Sequence, residues 1–283
     1  MEKLSIPQAL RKNITFHSSY CEKHTYRKNG EDVVNPVQRM EINGQVVCPR
    51  CEVDKDNQKI EAEQQEKYKE LLASKQESDR PYHVLRNKSI LTDHTLLEAT
   101  FENFTVECEE ERKNKEDMLD AAARLQDGQV FNVILQGKQG TGKSHLSYSL
   151  LRHLNEASEC SCCFVSIDEM LRKIKDSFNN KESKYTESYF VDLLSNVKYL
   201  VLDDLGAETG AIDTEKTATD FVQRVLYAVA SSRQDKATIL TTNLDSKTLF
   251  RMYDKKLVSR LLRSPKFILF KDSKDKRISN LPF

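Results

Sequence analysis

The stretch Gly137–Ser144, GKQGTGKS, fits the pattern G-x-x-x-x-G-K-[S/T] of phosphate-binding loops. An apolar run rich in β-branched residues, Val130–Leu135, precedes it, and leucines recur at helical spacing after it, at Leu146, Leu150 and Leu154. Glycines let the backbone curl so that successive N–H groups converge, and the N-terminus of a helix adds partial positive charge there. A strand, a glycine turn and a helix start therefore predict a nucleoside triphosphate site.

Within this loop, the two C-terminal residues have distinct expected roles. Lys143 should reach the β and γ phosphates of ATP, and the Ser144 hydroxyl should bind Mg²⁺. The residues that we expect to contact the nucleotide here are Gly137, Gly140, Thr141, Gly142, Lys143, Ser144 and His145.

Length and composition limit the possible classes of protein. A chain of 283 residues with 38% apolar composition can form one large domain and a small appendage. Lys plus Arg equals Asp plus Glu at 44 each, so any nucleic-acid site must be local. The segment Met1–Pro7 lacks the apolar core of a signal peptide, and no apolar run is long enough to cross a membrane. We expect a cytoplasmic protein whose seven cysteines are reduced or metal-bound.

Two short pairs of metal-binding residues lie near the N-terminus, Cys21-x2-His24 and Cys48-x2-Cys51. Zinc binds thiolates and imidazoles in a tetrahedron, and such a short module has too little core to fold without a metal. The spacing predicts a structural zinc site with these four ligands. His17 is a rival for a place in the first pair, and a redox function of the C-x-x-C pair is the alternative.

Composition also divides the chain into segments. Residues 1–55 contain the cysteine module, and residues 56–90 are dominated by Lys, Glu, Gln and Asp, which predicts a solvated helical linker. Core-type residues return at Phe101–Phe104, and we assign residues 91–283 to the large domain. Cys162 and Cys163 lie in an apolar run and should pack in its core.

After the phosphate loop, strand-like and helix-like segments alternate, which predicts an α/β domain with a parallel sheet between helices. The predicted strands after the loop are Cys162–Ile167, Tyr199–Asp203, Ala237–Thr242 and Lys266–Phe270.

Polar residues follow two of these strands at the edge where open α/β sheets bind ligands. Asp203 and Asp204 end a continuous apolar run, as in a Walker B strand. Asp203 should bind Mg²⁺ together with Ser144, and Asp204 should orient or deprotonate the attacking water. Asn243 ends another strand and could bond the γ phosphate or that water, although an Asn there is also a common turn residue or helix cap.

These motifs, in the order Phe101–Phe104, Gly137–Leu146, Leu202–Gly206 and Thr242-Asn243, resemble the AAA+ ATPase module of bacterial replicative-helicase loaders of the DnaC and DnaI type. The resemblance covers Leu91–Phe283, and a phage-encoded loader fits equally well. The cysteine module resembles the zinc-binding, helicase-contacting domain of the DnaI branch.

The resemblance implies two further residues at the nucleotide. Arg260 matches the position of an arginine finger that reaches a neighbouring subunit, with Arg263 as the alternative, and Arg277 is the candidate second sensor. It also implies ATP, Mg²⁺ and Zn²⁺ as cofactors, slow ATP hydrolysis stimulated by single-stranded DNA, self-association through the AAA+ domain, and a hexameric replicative DNA helicase as partner.

Two segments are candidates for weak, nonspecific contact with single-stranded DNA. Lys247–Arg277 is rich in Lys and Arg, and Arg172–Tyr185 mixes basic with aromatic residues that can stack on bases. The family places an inserted helix at Asp168–Phe178.

Three other functions remain open. The chain could be an adapter or inhibitor of helicase loading that uses ATP only to fix its shape. It could be a related transposition ATPase, which is not expected to carry a cysteine module. A small-molecule kinase also uses a phosphate loop, but would leave the roles of Asn243 and Arg260 unexplained.

Overall fold

The computed structural model describes residues 14–28, 30–78, 80–209 and 217–277, which form two compact units that divide after Ser78. The segment Met1–Pro7, on which the expected absence of a signal peptide rests, lies outside the described residues. Within the described ranges, no helix has the length and apolar character that crossing a membrane requires.

The first unit is built from short antiparallel strands and one long helix. Its described strands form a three-stranded sheet in the order β1-β4-β5 and a separate ribbon of β2 with β3. The elements are β1 (Ile14–Cys21), β2 (Thr25–Lys28), β3 (Glu31–Val34), β4 (Val37–Ile42), β5 (Gln45–Val47) and α1 (Pro49–Ser78).

Helix α1 covers part of the charged segment 56–90, and its residues are exposed from Val53 to Leu71. The helix nevertheless begins earlier than the predicted linker. It starts at Pro49, a favoured first helical residue, and therefore contains Cys51. Helix α1 continues through residues 55 and 56, where we placed the boundary between the cysteine module and the linker.

The described residues of the second unit form a five-stranded parallel sheet in the order β10-β6-β9-β8-β7. Its strands are β6 (Asn132–Gly137), β7 (Cys162–Ser166), β8 (Tyr199–Leu205), β9 (Thr238–Thr242) and β10 (Pro265–Phe270). Its α-helices are α2 (Val84–Lys88), α3 (Glu109–Gln126), α4 (Lys143–Ser158), α5 (Ile167–Asn179), α6 (Glu187–Asn196), α7 (Asp220–Ser232), α8 (Ser246–Met252) and α9 (Lys255–Leu261).

Both faces of the sheet are buried along β6, β7, β8 and β9, as the continuous apolar runs predicted, whereas the edge strand β10 has one exposed face. Side chains alternate along each strand, so Val133 and Ile239 join one hydrophobic cluster while Ile134 and Leu240 join the other. Helices α3 and α4 contribute to the first cluster, and α5, α6, α7 and α9 contribute to the second. Burial of each such aliphatic side chain contributes roughly 1.5–3 kcal/mol. Cys162 and Cys163 are fully buried in these clusters, which confirms their predicted packing role.

The second unit begins before residue 91, where we placed the start of the large domain. Leu85 of α2 is buried, and Ile90 forms a parallel bridge with Val165 of β7 through two backbone hydrogen bonds. Residues 80–90, assigned above to the linker, therefore lie with the sheet. The apolar residues at 84–85 and 90–91 are two short pairs, too few to show the period of a strand or helix, so this packing could not be predicted from the sequence.

Candidate nucleotide site and metal cluster

The phosphate loop joins the end of β6 to the start of α4, as the sequence predicted. Gly140 has a φ of 71° and Gly142, the N-cap of α4, has a φ of 92°. These left-handed conformations disfavour any residue with a Cβ atom. At Gly142 a Cβ would in addition lie 2.6 Å from the ring of Phe104. Glycine at these positions shapes the loop for an anion at the start of α4.

Lys143 is 5% exposed, and its ammonium group lies inside the loop. Nζ donates to the carbonyl oxygens of Gly137 at 2.9 Å and Lys138 at 2.5 Å, and to Asn243 Oδ1 at 2.8 Å. Burial lowers the pKa of Lys143, whereas the charges of Asp204 and Asp203 act in the opposite direction. The predicted phosphate ligand and the predicted sensor are therefore in direct contact.

Asp203 is the buried carboxylate of the site, with 4% exposure. Its Oδ1 accepts hydrogen bonds from Ser144 Oγ at 2.8 Å and from Thr241 Oγ1 at 2.7 Å. Burial, and then the charge of Asp204, raise the pKa of Asp203 to about 6. A carboxylate and a hydroxyl are hard oxygen ligands that suit Mg²⁺, and a cation would offset the cost of this buried charge. The donor set thus fits the predicted ion.

Asp204 lies at an irregularity of the strand. The register of β8 against β9 shifts between Leu202 and Leu205, and Asp204 has a φ of 58°. The Asp204 amide donates to Thr241 Oγ1 at 2.8 Å, which holds this conformation. A bulge of this kind redirects a side chain, and here the Asp204 side chain lines the cleft beside the phosphate loop.

The cleft around these residues has a volume of about 440 Å³. Its further lining comes from the segment 92–96, from Phe104, and from Lys276 and Arg277 near the described C-terminus. Arg277, the candidate second sensor, therefore lies at the cleft where the nucleotide is expected to bind. His145 also lines the cleft, but its ring donates from Nε2 to the Thr100 carbonyl at 3.0 Å, and burial lowers its pKa.

Arg260 lies elsewhere in the fold. Its guanidinium stacks over the Tyr227 ring at 4.5 Å from the centroid, and Nη1 donates to the Lys256 carbonyl at 3.2 Å. Arg260 and Arg263 border a depression with Asn132, the first residue of β6. Because the phosphate loop follows the last residue of β6, these arginines lie toward the opposite edge of the sheet. Arg260 is thus separated from the nucleotide site of its own chain.

The four predicted metal ligands converge in the first unit. The ligand atoms of Cys21, His24, Cys48 and Cys51 all lie within 4.8 Å of one another. Cys21 Sγ lies 3.7 Å from Cys51 Sγ, which matches the edge of about 3.8 Å in a tetrahedron with zinc–sulfur bonds of about 2.3 Å. His24 Nε2 lies 3.2 Å from Cys48 Sγ and 3.3 Å from Cys51 Sγ. Its Nδ1 faces Asp54 at 3.6 Å, a common outer partner of a metal-bound histidine.

The rival ligand His17 is not part of this cluster. Its Nδ1 bonds to Ser19 Oγ at 2.8 Å. Because Cys48 and Cys51 share the cluster with Cys21 and His24, the arrangement favours metal binding over a two-cysteine redox pair.

An aromatic and basic surface forms where α5 meets α7. Phe178 is 61% exposed and contacts the Phe221 ring edge-on at 5.8 Å, with Lys175 and Arg224 near the same ring. The other predicted DNA segment, Lys247–Arg277, includes most of α8, where Phe250 is 47% exposed between Lys247 and Arg251.

Sequence reasoning missed two sets of residues. Thr241 contacts both acids of β8, and the only sequence signal was its place one residue before the end of an apolar strand. Lys276 and Glu111 form an ion pair at 2.8 Å between distant segments, which no local sequence pattern indicates.

A family model described as "IstB-like ATP binding protein" matches residues 56–263. The replicative helicase loader DnaC of Escherichia coli (strain K12) is 27% identical over 150 residues, which are 53% of this chain and 58% of that protein. The DnaC loader of Buchnera aphidicola subsp. Schizaphis graminum is 24% identical over 218 residues, 76% of this chain and 83% of that protein. The chain therefore spans less than two thirds of the Escherichia coli relative.

Solved structures show the same fold at low identity. The crystal structure of the DnaC helicase loader has a TM-score of 0.53 and 19% identity, and covers 63% of this chain and 100% of that one. The crystal structure of DnaI has a TM-score of 0.52 and 21% identity, and the match covers 64% of this chain and 95% of that one. A putative primosome component from Streptococcus pyogenes has a TM-score of 0.51 and 17% identity, and the match covers 68% of this chain and 94% of that one. The predicted α/β architecture of an AAA+ P-loop domain is thus confirmed.

Proposed function

Because the chain belongs to the family of IstB-like ATP binding proteins, we propose that it is an ATP-dependent loader of a replicative DNA helicase. The observation that carries this proposal is the convergence of Lys143, Ser144, Asp203 and Asn243 on one cleft, in a chain whose relatives include DnaC loaders. The first unit docks on the hexameric helicase, and the second unit binds ATP.

ATP binding changes the partners of Lys143. In the structure, its ammonium group donates hydrogen bonds to carbonyl oxygens of the loop. The phosphates of ATP would accept stronger, charge-assisted hydrogen bonds from it. Ser144 and Asp203 would hold Mg²⁺, and the ion would supply positive charge beside the phosphates during phosphoryl transfer. Asp204 accepts a proton from the attacking water or orients it, and Asn243 bonds the γ phosphate or that water.

The position of Arg260 supports an oligomeric active site. An arginine finger stabilises transition-state charge on the γ phosphate, and this one is directed away from its own cleft. In the proposal, Arg260 completes the site of a neighbouring chain. The second sensor, Arg277, acts on the nucleotide of its own chain.

The cysteine cluster supports a structural zinc site in the helicase-docking module. The three thiolates and one imidazole complete a tetrahedron and leave no position for a substrate. Single-stranded DNA binds weakly and without sequence preference to the aromatic and basic surfaces, and stimulates slow ATP hydrolysis.

Size-exclusion chromatography with mass detection tests the proposal. The full-length chain is mixed with the hexameric replicative helicase, with and without ATP and Mg²⁺. We expect a complex that is lost with Cys51→Ser and retained with Cys108→Ser, since Cys108 lies outside the metal cluster. Failure of the full-length chain to form any complex contradicts helicase loading.

Turnover then separates a loader from an adapter. A loader hydrolyses ATP faster when single-stranded DNA is present and loses this hydrolysis with Arg260→Ala. An adapter or inhibitor forms the helicase complex, yet its function does not change with Asp204→Ala. A transposition ATPase forms no helicase complex and needs no zinc.

A further inference from the structure

The C-terminal strap, residues 271–277, runs from the end of β10 to the phosphate loop. The Lys276 amide donates to the Gly140 carbonyl at 3.0 Å. The Asp275 carboxylate packs against Gly140 so closely that the loop has no room for a side chain there. Arg277, whose amide donates to Asp275 Oδ1 at 2.9 Å, lines the nucleotide cleft. The strap thus forms part of the wall of the nucleotide site.

Two consecutive glutamates at the start of α3 hold this strap. The Glu110 carboxylate accepts the amides of Lys271 at 2.8 Å and Ser273 at 3.0 Å, and the Ser273 hydroxyl at 2.7 Å. Glu111 is fully buried, and its Oε2 accepts from Lys276 Nζ at 2.8 Å. Lys276 Nζ also donates to the Thr105 carbonyl at 2.7 Å.

The Glu111–Lys276 ion pair is the energetically sensitive part of this anchor. Glu111 Oε1 is buried and has no hydrogen-bond partner among the described residues, and Oε2 accepts from the Glu107 amide at 2.8 Å as well as from Lys276. Lys276 supplies the positive charge that compensates this buried carboxylate. Removing one member of such a pair lowers the free energy of unfolding by more than the pair itself contributes, because the remaining charge stays buried without a partner. The ammonium group also lies 5.2 Å from the centre of the Phe104 ring, whose edge contacts Gly142 of the loop.

We propose that Glu111 and Lys276 are positioning residues for the nucleotide, because their ion pair anchors the strap and thereby keeps Arg277 and the Gly140 contact at the phosphate loop. This inference rests on the proposed ATP site. Arg277 lines the nucleotide cleft, where its guanidinium can pair with a bound triphosphate. Loss of the anchor should therefore weaken nucleotide binding.

The fluorescent analogue N-methylanthraniloyl-ATP, titrated with Mg²⁺ into the full-length chain, tests this proposal. We expect Glu111→Gln to raise the dissociation constant roughly tenfold. The matched control is Asp120→Asn, which removes a 2.7 Å ion pair with Lys266 between the same helix α3 and the start of β10. Asp120 is 53% exposed and Lys266 keeps Asp117 as a second partner at 3.6 Å, so this substitution should change affinity by less than about twofold.

A double-mutant cycle separates positioning from general destabilisation. If Glu111 acts through Arg277, then Glu111→Gln should have little further effect once Arg277→Ala is present. Amide hydrogen exchange without nucleotide should accelerate in residues 271–277 and stay unchanged in β8 and β9. Should Glu111→Gln fail to fold, the neutral pair Glu111→Gln with Lys276→Met removes the anchor without leaving a buried charge.

The outcomes are distinct. The positioning role is overturned if the folded anchor variants bind nucleotide with wild-type affinity. It is also overturned if Glu111→Gln lowers nucleotide affinity equally in the wild-type and Arg277→Ala backgrounds. A wild-type chain that binds no nucleotide at all contradicts the proposed ATP site instead.

Discussion

Thr241 links the two acids near the end of β8. Its hydroxyl donates to Asp203 Oδ1 at 2.7 Å and accepts the Asp204 amide at 2.8 Å. It therefore supports the buried carboxylate that should hold Mg²⁺ and the left-handed backbone of Asp204. Such a residue can change metal binding without touching the ion.

Thr241→Val should impair both stability and magnesium binding. The substitution keeps the volume but leaves the Asp204 amide without its partner, at a cost of about 1–3 kcal/mol. We expect a lower melting temperature and a higher Mg²⁺ concentration at half-saturation of nucleotide binding. Thr241→Ser, which keeps the hydroxyl, is the control and should retain both values. Unchanged magnesium dependence in a folded Thr241→Val variant would show that this hydroxyl has no role at the ion.

At the scale of elements, α1 depends on the cysteine cluster at its first turn. Its side chains are exposed from Val53 to Leu71, so packing against a core stabilises little of its length beyond the first turn. A metal bound by Cys51 in the first turn, together with Cys21, His24 and Cys48, would connect α1 to the small sheet.

Cys51→Ser should therefore remove zinc and unfold the module. Elemental analysis of the purified chain should give one zinc per wild-type chain, the same for Cys108→Ser, and little for Cys51→Ser. Nucleotide affinity should remain near wild type in both variants, because the cleft is built from residues of the second unit. A wild-type chain purified without zinc under reducing conditions argues against the metal site.

The aromatic and basic surfaces on α5 and α8 are alternative sites for single-stranded DNA, and substitutions distinguish them. Stacking of a base on an aromatic side chain contributes roughly 1–3 kcal/mol. If α5 contacts DNA, Phe178→Ala should weaken binding to an oligothymidine about tenfold or more, while Phe250→Ala has little effect. Tyr68→Ala, which removes an exposed aromatic from α1, is the control. Fluorescence anisotropy at several salt concentrations measures the affinities, and the reverse ranking would assign DNA to α8.

At the scale of the whole molecule, the separation of Arg260 from the cleft predicts complementation between chains. Lys143→Ala should bind no nucleotide, and Arg260→Ala should bind nucleotide without fast turnover. In a mixture, the Lys143→Ala chain can supply its intact Arg260 to the nucleotide of the other chain.

ATP hydrolysis by the mixture should therefore exceed that of either variant alone, at concentrations where the chains associate. Replacing Arg263 as well as Lys143 in the donor chain tests which arginine is the finger. Activity that stays at the level of the separate variants would contradict a finger acting between chains.

Much of the second unit could be predicted because its signals are local. The apolar runs before Gly137 and Asp203 predicted strands buried on both faces, and both faces are covered by hydrophobic clusters. The start of the unit was misplaced, since Leu85 and Ile90 belong to short apolar pairs whose packing depends on α4 and β7.

The sequence by itself determined the phosphate loop, the acid-terminated strand and the spacing of the cysteine pairs, because each depends on neighbouring residues and on the period of a strand or helix. Only the tertiary structure decided how Thr241 supports Asp203, how Lys276 meets Glu111 across 165 residues of chain, and which edge of the sheet Arg260 occupies. These contacts follow from the order and register of the parallel strands, which bring distant segments together and which local sequence patterns do not encode.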